Sequence, residues 1–277
     1  MRLSPCLLAL LLLAPRPLPA WGRQGHEIAA SLACRDLPPA LAPWFQGREA
    51  FLREHCNDPD AWKQGDPLEG PRHFLNSDAY GGPDGVPEAV GAAQDRLGLA
   101  AFERDGQAPW VIQERVRRLV QAFKAGDPAK VAWESAILCH YVADLNVPLH
   151  TTADYNGQST GQHGVHGRWE TGLVQRLGSW DPGPRLASLD GQDLFAPWSW
   201  LKQANALVAP LLRDDLEASR PGSREPHWEA LDSSYWTEFN RRQGPVVRAQ
   251  LERSGQRTAQ MILLAWEWAG EPSLREI

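Results

Sequence analysis

The chain has 277 residues, with 28 lysines and arginines against 34 aspartates and glutamates, and a formal net charge of −6. No basic run interrupts that acidic balance, which excludes a duplex-DNA binder relying on a lysine and arginine footprint. The length suits one domain with a single core.

The first twenty residues read as a secretory signal. Arg2 supplies the positive start, Leu7 to Ala14 is apolar, and Leu18-Pro19-Ala20 ends in a small residue. Cleavage after Ala20 predicts a secreted or periplasmic protein of residues 21–277 that begins at Trp21. The apolar run falls well short of the roughly 20 residues that span a bilayer, and no later stretch is long enough. No cysteine stands immediately after the cleavage point, so lipoprotein processing is not indicated.

Downstream, apolar residues recur at helical spacing and β-type alternation is scarce. The spacing predicts helices over Gly25 to Leu37, Trp110 to Ala125, Lys130 to Val147, Val165 to Leu177, Trp198 to Ala218 and Pro245 to Ala269. Glycine and proline mark loops at Gly81 to Pro87, Gly178 to Pro197 and Ser219 to Pro226. The fold class is therefore all-α, a single multi-helix domain with no internal repeat. Most of the 13 tryptophans fall in or beside these segments and read as core filling.

Three cysteines lie beyond the signal, an odd number that cannot all pair within the chain. An exported protein permits a disulfide, and Cys34 with Cys56 is the expected pair. Cys139 sits in an apolar run and reads as a buried, inert thiol.

The chemistry concentrates in HYVADLNVPLH, His140 to His150. On a helix, His140 and Asp144 stand at i and i+4 on one face, close enough to hold one ion. Pro148 ends the helix and His150 follows. A surface or capping pair has the same spacing, but the apolar setting requires this carboxylate to be paired or metal-bound. A second pair, His166 and Glu170 in HGRWETGLV, repeats the spacing. Two such pairs with His150 between them suggest a metal centre. Upstream, PDAWK places Asp60 and Lys63 ahead of His73 in PRHFLNSD, and WGRQGH sets His26 five residues after Trp21. Asp58 competes with Asp60 as a donor, and Lys63 read alone is an ordinary solvated lysine. His55, His163 and His227 read as surface or hydrogen-bonding histidines. The glycine-rich stretch Asn156 to Gly164 reads as a flexible loop lining the cleft. No P-loop, dinucleotide fingerprint or GxSxG elbow is present.

WGxxGH at the mature start, PDxxK followed by His, HxxxDxxxPLH and HxxWE, in that order, resemble the superfamily that joins bacterial zinc-dependent phospholipase C with the single-strand-specific zinc nucleases of the S-one/P-one type. The resemblance implies three zinc ions in a cleft between helices, two close together and one apart. Asp60, His73, His140 and Asp144 would hold the first of the close pair. His26, the free amine and carbonyl oxygen of Trp21, and a bridging Asp144 would hold the second. His150, His166 and Glu170 would hold the third. Asp60 is preferred over Asp58 because its spacing to Lys63 matches the family.

Nitrogen and oxygen donors without cysteine also fit an open catalytic zinc site on their own chemistry. An α-amino group, with an ordinary pKa of about 7.7, can yield its proton to a metal near neutrality, which makes signal cleavage part of site assembly. The expected activity is hydrolysis of a phosphodiester by a metal-bound hydroxide, with Asp60 orienting or deprotonating the water and Lys63 stabilising phosphoryl oxygens. The ions would also concentrate positive charge in an otherwise acidic protein, compatible with an anionic substrate.

The shared ligands leave the substrate open between phospholipid and single-stranded nucleic acid. Glu170, where the nucleases usually carry aspartate, and the short loop from His150 to His166 favour a phospholipase C-like enzyme. The tryptophan of HGRWET favours an endonuclease or 3'-nucleotidase. Nucleases read a base with an aspartate soon after the second-motif histidine, where this chain has Asn76 and then Asp78. A non-catalytic exported zinc protein is the third alternative. A monomer is expected, with transient contact at a membrane surface if the substrate is lipid.

Overall fold

The centre of the molecule is a helix that has almost no outside. From Ser135 to Leu145 every residue of Pro128–Leu145 is buried, the charged Asp144 included. Asp127 starts this helix by accepting the Lys130 N–H at 3.0 Å, as an N-cap should. Asn146 ends it, its side-chain amide returning to Val142 O at 2.7 Å.

The computed structural model describes residues 21–184, 193–219 and 231–274. The predicted signal and His227 lie outside them. In chain order the helices are α1 (Gly22–Asp36), α2 (Ala42–Gln46), α3 (Glu49–His55), α4 (Asp58–Trp62), α5 (Val90–Leu97), α6 (Leu99–Asp105), α7 (Ala108–Lys124), α8 (Pro128–Leu145), α9 (Val165–Gly167), α10 (Ala196–Asn205), α11 (Val208–Ala218) and α12 (Ser233–Trp268). Beyond α9 the chain continues through a π-helical turn, Arg168–Leu173, and a 3-10 turn, Val174–Arg176. Among the described residues, β structure is limited to one bridge between Leu75 and Gly106. None of the described helices is long and apolar enough to cross a membrane.

The all-α expectation holds, and α1, α7 and α8 fall within three residues of their predicted bounds. The stretch expected as one helix from Trp198 to Ala218 is two. Asn205 ends the first, its amide reaching Ser77 Oγ and Thr151 at 3.1–3.2 Å. Helix α12 begins well before Pro245 and carries that proline in its interior. The segment from Val165 to Leu177 is helical throughout but not α throughout.

Helices α1, α3, α7 and α12 pack around α8, and one continuous apolar cluster fills the space between them. Trp110, Trp169, Trp198, Trp200 and Trp236 are buried in it, which bears out the core-filling reading, and the Trp21 ring joins them. The expected disulfide does not form: Cys34, Cys56 and Cys139 are all buried thiols. The Cys56 thiol turns to Arg53 O at 3.3 Å, at the end of α3, and burial pushes the Cys34 thiol up to about 12.

Helices α1 and α12 approach so closely that Gly255 is obligatory. A Cβ there would lie 2.4 Å from Leu32 Cβ and 3.0 Å from the Ala33 backbone nitrogen. Gly255→Ala should cost about 1–3 kcal/mol, because backbone rather than a flexible side chain must give way. Urea or thermal denaturation measures it, and an unshifted midpoint would refute this account of the α1/α12 contact.

Candidate metal centre

Five stretches of chain converge on the buried end of α8. The first turn of α1 brings Trp21 and His26. Trp21 has φ +31°, in the left-handed region, and Gly22 follows at +44°, where a Cβ would also meet Thr171 Oγ1 at 2.9 Å. That conformation inserts the Trp21 ring into the core against Trp169, at 5.1 Å between centroids, and aims its indole N–H at Ala143 O, 2.7 Å away. The tryptophan of WGxxGH thus holds α1 against the residue that precedes Asp144.

The 3-10 turn Gly70–His73 and a second, Pro148–Thr151, deliver His73 and His150. The two strap together: Leu75 N donates to His150 O at 2.8 Å and His150 Nδ1 faces His73 O at 3.0 Å. Helix α4 brings Asp60, and α9 with its π turn brings His166 and Glu170.

Around Asp144 the contacts are dense. Its Oδ2 lies 2.8 Å from His73 Nδ1 and 3.1 Å from His140 Nε2; its Oδ1 lies 3.5 Å from His26 Nε2 and 3.9 Å from His150 Nδ1. His26 and His140 stack at 4.0 Å between ring centroids. Asp60 Oδ1 lies 3.9 Å from both His73 Nδ1 and His140 Nε2. Farther along, His166 Nε2 is 2.9 Å and His150 Nε2 is 3.7 Å from Glu170 Oε2. Three groups of donor atoms result, each compact enough for one ion: His26, Asp60 and His140; His73, His140 and Asp144; and His150, His166 and Glu170.

These groups fit metal ions on their own chemistry. Buried polar atoms normally find partners, yet His26 Nδ1 and Nε2, Asp144 Oδ1 and Glu170 Oε1 are buried without a hydrogen bond. Their donors are nitrogen and oxygen only, as an open catalytic site requires. Burial, reinforced by His140, pushes His26 down to about 3, and burial does the same to His150 against the pull of Asp144. Both imidazoles are therefore neutral donors near pH 7. Burial works against charge on Asp144, but His140 and His73 hold the carboxyl well below the usual range. Burial likewise opposes charge on Asp60, and His140 and Lys63 overcome it. For Glu170 burial dominates and raises the carboxyl despite His166.

Every candidate from the sequence is at or beside this cluster, and the open choices narrow. Asp58 turns away to His55 Nδ1 at 2.8 Å, so Asp60 alone of the pair faces the centre. Lys63 is not an ordinary solvated lysine: its side chain is 11% exposed and its Nζ sits 2.7 Å from Asp60 Oδ1. Trp21 N contacts Glu170 Oε2 at 3.0 Å, while its carbonyl accepts the Gly25 N–H at 3.2 Å. His163 is exposed, as expected. The stretch from Asn156 to Gly164 is not loose, because Gln162 Nε2 reaches Leu212 O and Asp215 Oδ2, both at 2.7 Å, and Arg168 pairs with Asp215 at 2.8 Å. Asp78 spends one carboxylate oxygen on the Ala153 N–H at 2.7 Å. Sequence reasoning missed Glu69, 2% exposed, whose Oε1 is 3.2 Å from His73 Nε2 and also accepts the Tyr141 hydroxyl. Its one visible signal was a Glu-xxx-His spacing ahead of the second motif.

A family model described as zinc dependent phospholipase C matches residues 25–200, more than half of the chain and the whole of the donor set apart from Trp21. The chain belongs to the zinc-dependent phospholipase C family. The alpha toxin from Clostridium absonum has a similar fold, with a TM-score of 0.52 at 16% identity over 87% of this chain. This chain covers 63% of that toxin's length. The alpha-toxin of an avian Clostridium perfringens strain gives a TM-score of 0.49 at 14% identity, covering 88% of this chain and 64% of the toxin. No curated protein sequence matches.

Asp144 touches more of the donors than any other carboxylate here. Asp144→Ala should therefore bind fewer metal ions than the parent, with the loss read by elemental analysis after dialysis. A variant that keeps the parent's full metal load would show that Asp144 bridges nothing.

Proposed function

We propose that the mature protein is an exported, zinc-dependent phospholipase C-like phosphodiesterase. The observation that carries this reading is the set of three adjoining, buried donor groups in a chain of this family, with buried atoms that lack protein partners. Asp60, His73, His140 and Asp144 would hold one ion; His26, Asp144, and the amine and carbonyl oxygen of Trp21 would hold a second; His150, His166 and Glu170 would hold a third. Zinc in such a site supplies Lewis acidity, lowering the pKa of water and drawing charge from phosphoryl oxygens.

The chain's own groups divide the remaining work. Asp60 is the least buried of the carboxylates, its side chain 18% exposed, so it meets the attacking water at the mouth of the centre and takes its proton. Lys63, beside it, keeps that carboxylate ionised and offers positive charge to the non-bridging oxygens of the substrate. Asp144, His26 and His140 lie too deep to meet substrate and serve to hold the geometry.

The lipid reading is favoured over a nucleic-acid one by the use already made of Asp78, which is tied to the loop after His150. The zinc-loaded protein should hydrolyse a phosphatidylcholine analogue and leave single-stranded DNA intact. The reverse pattern makes it a nuclease, and inactivity on both leaves a zinc-binding protein without catalysis.

Export is integral to the reading, because only cleavage behind Ala20 turns the Trp21 nitrogen into an amine. A protein expressed with Ala20 retained should bind two zinc ions instead of three and lose most of its turnover. Three bound ions and parental turnover in that protein would remove Trp21 from the ligand set.

A further inference from the structure

The histidines of the centre differ in what holds the ring nitrogen that faces away from it. His140 Nδ1 lies 2.7 Å from Cys56 O, His150 Nδ1 lies 3.0 Å from His73 O, and His166 Nδ1 lies 3.0 Å from Tyr155 O. A carbonyl only accepts, so each ring carries its proton on Nδ1 and turns Nε2 inward. His73 is the reverse. Its Nδ1 faces inward, 2.8 Å from both Asp144 Oδ2 and His140 Nε2, and its outer nitrogen, Nε2, lies 3.2 Å from Glu69 Oε1, a charge contact rather than an aligned hydrogen bond.

Glu69 is built for that contact. It precedes the 3-10 turn Gly70–His73 without spending its side chain on a cap bond, so the turn brings the ring four residues later back to the carboxylate. The side chain is 2% exposed, and among the described residues the only arginine or lysine paired with it is Arg72, at a loose 3.8 Å. Its closest partners are His73 and the Tyr141 hydroxyl, both on the same oxygen. Tyr141 in turn packs its ring against His73 and His140, each at 5.4 Å between centroids.

Resting on the reading of His73 as a metal ligand, we infer that Glu69 is the positioning residue that fixes the proton on His73 Nε2, leaving Nδ1 as the donor, and whose charge makes that donor stronger. A carboxylate behind a ligating imidazole typically contributes tenfold to a hundredfold in metal affinity. Of the other four rings, His140, His150 and His166 have a neutral carbonyl as the nearest partner of the outer nitrogen, and His26 Nδ1 has no hydrogen bond, so His73 is the ligand whose outer nitrogen depends on a charge. Tyr141 has a separate task, pinning Glu69 to α8.

The test titrates Zn²⁺ alone into metal-depleted protein against a competing chelator, with no substrate present. Glu69→Gln keeps the shape and removes the charge; one of the zinc ions should bind about 10-fold to 100-fold more weakly. Tyr141→Phe, which leaves the His73 contact in place, should bind zinc like the parent. Parent-like affinity in Glu69→Gln, or an equal loss in Tyr141→Phe, overturns the inference. His73→Ala is the reference: if it retains every ion, the ligand reading falls and takes the inference with it. If His73→Ala loses an ion and Glu69→Gln does not, the inference falls alone. Long-range ¹H–¹⁵N spectra of the zinc-loaded parent need no variant to fold. They should place the metal on His73 Nδ1 and the proton on Nε2, and the opposite tautomer overturns the role of Glu69.

Discussion

A carboxylate with no access to water governs this structure. Asp144 is 0% exposed on the fully buried stretch of α8 from Ser135 to Leu145, and an ionised carboxylate in such surroundings costs several kcal/mol unless charge or hydrogen-bond donors come to it. The chain meets that demand with imidazoles from separate elements: His26 from α1, His73 and His150 from two 3-10 turns, and His140 from one turn earlier on α8 itself. Pro71 and Pro148 sit at the start of the two 3-10 turns that reach the end of α8.

The backbone ends of those elements then orient the rings. Cys56 O closes α3 and Tyr155 O lies in a loop; neither carbonyl is consumed inside a helix, so each is free to receive an imidazole N–H. Orientation is obtained from groups that would otherwise need solvent. The donors are thereby set before any ligand arrives, which is what binding an ion or a transition state with little reorganisation requires.

Much of this was legible in the sequence because it obeys helical spacing. His140 with Asp144 and His166 with Glu170 are i,i+4 pairs, and the structure keeps both in reach, at 3.1 and 2.9 Å. The long helices α1, α7 and α8 were equally plain, since each carries an apolar face over several turns. Helices α2 to α6 escaped notice because each spans eight residues or fewer, too short to display a period. Glu69 escaped because one partner is reached through a 3-10 turn and the other, Tyr141, is 72 residues away. The choice between Asp58 and Asp60 also needed three dimensions: both are acidic, two residues apart, and only the path of α4 decides which faces inward.

The three cysteines of the described chain, Cys34, Cys56 and Cys139, are sealed in the core as thiols. No covalent tie crosses the fold among the described residues, so its cohesion comes from apolar burial and buried hydrogen bonds. Reducing agents have no bond to break in it, and an oxidising milieu has no exposed described thiol to capture. The described architecture around the donors therefore holds together without a disulfide.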